Sequence, residues 1–67
     1  MKFMRLDEVI ARVGLGRSSI YKYIAAGIFP EPVSLGERAV GWVEDEIIAW
    51  MLERIAERDR VNGKSPL

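Results

Sequence analysis

The tripeptide Gly14-Leu15-Gly16 leaves this chain few choices of fold. On its N-terminal side Leu6, Val9, Ile10 and Val13 recur at i, i+3, i+4 and i+7, the spacing of one helical face. Asp7 and Glu8 fall in the first turn of that helix, where the dipole favours anions. Gly14 can adopt the left-handed conformation that ends a helix. A second helical run opens at Arg17 and closes at Gly27, and Pro30 and Pro32 forbid its resumption. Two short helices joined by a glycine turn form a helix-turn-helix by geometry.

Little else is available to hold such a chain together. Its 67 residues include no cysteine and no histidine, so disulfides, thiolate zinc sites and imidazole ligands are all excluded. A domain of this size buries only about 60 % of its unfolded surface. Apolar packing, with or without a second chain, therefore has to suffice. In the second helix Ile20, Tyr23, Ile24 and Gly27 define the inward side, and Leu15 before the Gly16 N-cap can staple to Ile20. Ser18, Lys22 and Ala25 lie opposite, with Tyr21 on a flank.

Beyond the helices, the runs Val33–Leu35 and Val40–Val43 flank Gly36-Glu37-Arg38-Ala39. β-rich runs around a short glycine-containing loop predict a hairpin with Arg38 at or near its tip. Trp42 is expected in the core, packed on Ile20, Ile24 or Trp50. Trp50 itself can be core filler or an anchor for a partner. From Glu44 to about Asp59 the chain is again helical. Ile47, Ile48, Trp50, Met51, Leu52 and Ile55 spread over about 200° of that helix, twice what one-sided packing needs. The domain is expected over residues 1–59, with a flexible tail over 60–67.

Charge is unevenly distributed although the formal net charge is +0. Up to Val43 six basic residues face four acids, and from Glu44 to Asp59 six acids face two arginines. The first part is mildly cationic and the last helix anionic.

Catalytic readings fail on context. "GLGRSS" follows a helix and no strand precedes it, so it is not a dinucleotide fingerprint. "NGKS" has Arg58 where the first glycine of a phosphate-binding loop belongs. No base stands near Ser18 or Ser19 to activate a hydroxyl. The chain is expected to be no enzyme, with no cofactor and no metal.

The front of the second helix reads differently. In helix-turn-helix proteins the second helix enters the major groove with its N-terminal residues at base edges. Arg17 suits guanine or phosphate, because a guanidinium matches paired acceptors. Ser18 and Ser19, with the free N–H groups of the first turn, can hold a phosphate at the positive end of the dipole. Lys22 follows Ser18 by one turn, and Tyr21 offers a ring and a phenolic donor. Arg38, on a wing, can reach phosphates or a narrow minor groove.

The blocks "GLGRSSIYKYI", "GIFPEPVSLG" and "RAVGWVEDEIIAWM" come in order. Together they make the stretch from Arg5 to Leu52 resemble the AlpA family of phage and prophage regulators, relatives of excisionases in the MerR-like winged-helix group. The resemblance implies a mainly α fold with a small β-hairpin: a winged helix-turn-helix of three helices and a two-stranded wing. It implies a small regulator of transcription that binds double-stranded DNA, with a recognition helix at about 17–26 in the major groove and a wing at about 33–43. Contacts would come from Arg17, Ser18, Ser19, Tyr21 and Lys22 on the helix and from Arg38 on the wing. Some members act instead as directionality factors that help an integrase excise a prophage. One departure is Gly16, where the family commonly has serine; the missing hydroxyl cap weakens the helix start by about a few tenths of a kcal/mol.

Few basic residues face the duplex on this reading, so one copy releases few counterions and binds weakly. A homodimer or cooperative oligomer on DNA is therefore expected, with the surplus apolar stripe of the last helix as its interface. An integrase or RNA polymerase is a further expected partner. The rival from another class is a protein-interaction module that uses the same fold without nucleic acid. No apolar run approaches the roughly 18 residues of a membrane span, and "MKFMRLDEV" lacks the long apolar stretch of a signal peptide. A cytoplasmic, nucleoid-associated protein is the expectation.

Overall fold

Glycines and carboxylates set the helix limits in the computed structural model, which describes residues 1–62. Helix α1 spans Leu6–Val13 and α2 spans Arg17–Ala25, as their punctuation predicts. Gly14 ends α1 at φ 78°, its N–H bonded to the Ile10 carbonyl at 2.9 Å. At the start of α1 the Glu8 carboxylate reaches back to the Arg5 N–H at 2.8 Å, one half of a capping box. The Arg5 side chain has no acceptor with which to complete the other half.

Helix α2 closes in a Schellman motif. Gly27 N–H bonds the Ile24 carbonyl at 3.0 Å and Ile28 N–H bonds Tyr23 at 2.9 Å, with Gly27 at φ 79°. Gly27 is thus an exposed cap beyond the helix and not part of its inward side. Ile20 is fully buried, and Tyr23, Ile24 and Leu15 pack against the core around it.

Strands β2 (Val33–Ser34) and β3 (Val40–Val43) form the expected antiparallel wing, Val33 opposite Gly41 and Ser34 opposite Val40. A third strand, β1 (Phe3–Met4), adds to the other edge of β3, Phe3 opposite Val43 and Met4 opposite Trp42. The sheet order is therefore β1-β3-β2. Gly41 sits between both neighbours. A Cβ there would meet Leu35 Cδ1 at 2.8 Å and Phe3 Cβ at 3.2 Å, so the central strand needs glycine at that point. Pairing runs on into the last helix through Glu44 N–H to the Lys2 carbonyl at 2.8 Å.

Helix α3 covers Glu44–Asn62, with Glu44, Asp45 and Glu46 in its first turn. It runs past the expected end near Asp59. Of the expected tail 60–67, residues 60–62 continue the helix and 63–67 lie outside the described residues.

Six apolar side chains make the core: Met4, Val9, Ile20, Phe29, Trp42 and Ile47. Every element except β2 supplies one of them, and Phe29 comes from the loop after α2. Burying side chains of this kind stabilises by about 1.5–3 kcal/mol each. The core is therefore the junction of all three helices with the sheet, and it fixes how α2 stands against the wing. Trp42 is 0 % exposed and donates its indole N–H to the Pro30 carbonyl at 3.0 Å. Trp50 serves the fold as well: it donates to the Ile28 carbonyl at 2.7 Å and meets Phe29 edge to face at 4.7 Å. No buried side-chain nitrogen or oxygen lacks a partner among the described residues.

Candidate nucleic-acid interface

Burial of Ile20 decides which side chains of α2 face outward. Arg17 and Tyr21 are four residues apart and form one exposed line; Ser18 and Lys22 form the next. Ser19 is half-buried beside them. Arg38 is exposed in the loop between β2 and β3, a loop tied by Leu35 N–H to the Ala39 carbonyl at 2.7 Å and by Ser34 Oγ to the Gly36 carbonyl at 3.1 Å.

The sheet carries that loop back to the start of α2. Arg17, Tyr21 and Arg38 line one open concavity, together with Arg5, Leu6, Asp7 and Val40. Ser18, Ser19 and Lys22 do not line it; they continue the same end of α2 next to it. Tyr21 is steadied from below, its ring lying edge to face against Trp42.

Arg5 is the member that sequence reasoning missed. It occupies the N-cap slot of α1, where serine, threonine, aspartate or asparagine is favoured. A cation in that slot was the available signal. Its position became meaningful only once β1 paired with β3 and brought the start of α1 beside the wing.

Two electrostatic contrasts separate this region from the rest. The first lies in the cations. Among the described residues the ion pairs involve Lys2 with Glu8, Arg12 with Glu44, Arg58 with Asp59, and Arg60 with Glu53 and Glu57. Arg5, Arg17, Lys22 and Arg38 have no such partner. The second lies in the helix starts. The first turn of α1 carries Asp7 and Glu8, which bond its own N–H groups. The first turn of α2 carries no acid, and the Gly16 N-cap offers no side-chain acceptor. The positive end of α2 is thus left open to an outside anion. On another side of the molecule a larger concavity lies between residues 27–30 and α3, with Glu46 and Glu53 on its rim, a charge unsuited to a polyanion. No cluster of three potential metal-ligating side chains occurs among the described residues, and none of their helices is long and apolar enough to cross a membrane.

Two helices across a glycine turn, followed by a β-hairpin whose loop returns to the front of the second helix, define a winged helix-turn-helix. The sequence matches the family of the prophage CP4-57 regulatory protein (AlpA) over residues 2–55, and the chain belongs to that family. It is 49% identical over 59 residues to the ORF88 protein of Enterobacteria phage P4, across 88% of this chain and 67% of that protein. It is 33% identical over 60 residues to the DNA-binding transcriptional activator AlpA of Escherichia coli K12, across 81% of this chain and 86% of that protein.

Proposed function

We propose that this chain is a DNA-binding transcription regulator without catalytic activity, whose α2 enters the major groove of double-stranded DNA while the wing loop follows the adjoining backbone. The observation that carries this reading is the single concavity to which α2 contributes Arg17 and the wing contributes Arg38, both free of ion pairs. Arg17, Ser18, Ser19, Tyr21 and Lys22 are the contacts from α2, and Arg38 is the contact from the wing. The relative in Escherichia coli, described as a DNA-binding transcriptional activator, favours regulation of transcription over excision with an integrase.

Binding as a homodimer or cooperative oligomer belongs to the same reading. Four unpaired cations give a small counterion release per copy, and Ile48, Leu52 and Ile55 stand exposed on α3. The test is binding to duplex DNA selected from a random pool, followed through a salt series. Arg17→Ala combined with Lys22→Ala should abolish binding while the folded circular-dichroism spectrum and melting temperature stay unchanged. Undiminished affinity in that double variant would defeat the reading and favour a protein-interaction module.

A further inference from the structure

Three guanidinium groups from three different elements border one concavity: Arg5 from the start of α1, Arg17 from the start of α2 and Arg38 from the wing loop. Resting on the DNA-binding reading above, we propose that this concavity seats one backbone phosphate of the duplex and that Arg5 closes the seat from the α1 side.

The shape of the donor set argues for a phosphate and against a base edge. A base edge is planar and offers at most two acceptors to one guanidinium. A phosphodiester presents its unesterified oxygens outward and accepts from several directions at once. Leu6 and Val40 supply apolar wall between the arginines, which strengthens their pull on a bound anion.

The backbone of Arg5 is held on both sides while its side chain remains exposed. Met4, the residue before it, is 1% exposed and paired with Trp42. The Arg5 N–H is bonded to the Glu8 carboxylate at 2.8 Å, and Glu8 is in turn paired with Lys2 at 3.7 Å. The guanidinium is therefore presented by a fixed backbone and has no ion pair among the described residues to give up on binding. Asp7 is the one acid on the seat, and its Oδ1 accepts the Glu8 N–H at 3.0 Å. Its charge opposes the anion, so the seat should discriminate in both directions: losing a cation weakens binding and losing the acid strengthens it.

The experiment is a salt series of duplex binding, read by fluorescence anisotropy, on the selected duplex and on a scrambled one. Arg5→Ala should lower the slope of log K against log salt by about 0.9, the value for one lost phosphate contact. Affinity should fall by a similar factor on both duplexes, because a phosphate carries no sequence information. Arg5→Lys should restore most of the slope, and Asp7→Asn should raise affinity for both duplexes. Replacing single phosphates by neutral methylphosphonates should reveal one position at which wild type loses affinity and Arg5→Ala does not. Arg5→Gln, which keeps the aliphatic stem, repeats the test should the alanine variant melt early. An unchanged slope in both Arg5→Ala and Arg5→Gln, or a loss confined to the selected duplex, overturns the proposal. Wild type that binds no duplex defeats the DNA-binding reading itself; wild type and Arg5→Ala binding alike while Arg17→Ala fails defeats only the seat.

Discussion

The rings of Tyr21 and Trp42 meet edge to face, their centroids 6.3 Å apart and their planes at 67°. This contact joins the outward line of the recognition helix to the central strand of the sheet. Trp42 in turn stands opposite Met4 in β1 and bonds the Pro30 carbonyl. One buried indole thus touches the wing, the N-terminal strand, the loop after α2 and the foot of Tyr21, so the angle between helix and wing depends on it.

Trp42→Phe should accordingly be costly for a conservative change. It removes ring volume from a fully buried site and leaves the Pro30 carbonyl without its donor. Together these should lower stability by about 2–4 kcal/mol. A domain of this size has only about 3–10 kcal/mol in total. Urea unfolding followed by circular dichroism measures the loss; a change below about 0.5 kcal/mol would show that the indole donor and its packing count for little.

Two glycines near the ends of α2 should respond with opposite sign. Gly27 holds φ 79° at the Schellman cap, so Gly27→Ala should destabilise by about 1–2 kcal/mol, although no atom within 4 Å blocks a Cβ. Gly16 is an N-cap at φ −79° and ψ 169°, also with open space around it. Gly16→Ser supplies the missing acceptor for a first-turn N–H and should stabilise by about a few tenths of a kcal/mol. Thermal melts of both variants beside wild type check the pair, and melting temperatures that move the same way contradict it.

Stability towards acid should depend on Glu8. Its carboxyl is held below the ordinary glutamate value, chiefly by the Arg5 backbone N–H it accepts, with Lys2 and Arg12 adding attraction and partial desolvation opposing. The folded value lies below the unfolded one, so the unfolded chain binds more protons between them and stability falls as pH drops through that window. The contribution is whole above the unfolded value of about 4.3 and disappears below the lowered folded value. Glu8→Gln cannot titrate. The stability difference between wild type and this variant should therefore shrink as pH is taken from about 6 to about 3. A constant difference across that range would remove Glu8 from the acid response.

What the sequence made legible follows from where its information is local. Gly14, Gly16 and Gly27 mark turns and caps through their own backbone freedom, so α1 and α2 could be read almost to the residue. The wing was legible because alternating apolar residues flank a glycine loop. Strand β1 was not: two residues carry no periodicity, and Phe3–Met4 is a strand only because β3 pairs with it. Arg5 shared that fate, since its place at the site depends on the same pairing. Phe29 lies in a stretch without period and yet fills the core. Helix α3 outran its expected end because Arg60, Val61 and Asn62 contain no breaker, and the next glycine is Gly63. At the site, the front of α2 was readable from charge and hydroxyls alone, while its meeting with the wing and α1 required the tertiary fold.

The excess apolar surface of α3 leads to the last prediction. Ile48, Leu52 and Ile55 are 39%, 61% and 47% exposed, whereas Ile47 on the same helix is fully buried. They fall at i, i+4 and i+7, one continuous line on the side away from the core. A line of three large aliphatics left in water is what a second helix would cover, and a second copy of this chain supplies an identical one. Leu52→Glu places a charge at the middle of that line. Leu52 contributes little to the monomer core, so the substitution should alter monomer stability by no more than about 0.5 kcal/mol. Sedimentation from low to high protein concentration should show wild type associating and the variant remaining monomeric. On a duplex carrying two adjacent sites, the variant should bind each independently, while wild type fills both together. Wild type that stays monomeric at every concentration and fills paired sites independently would leave the exposed line without a role in self-association.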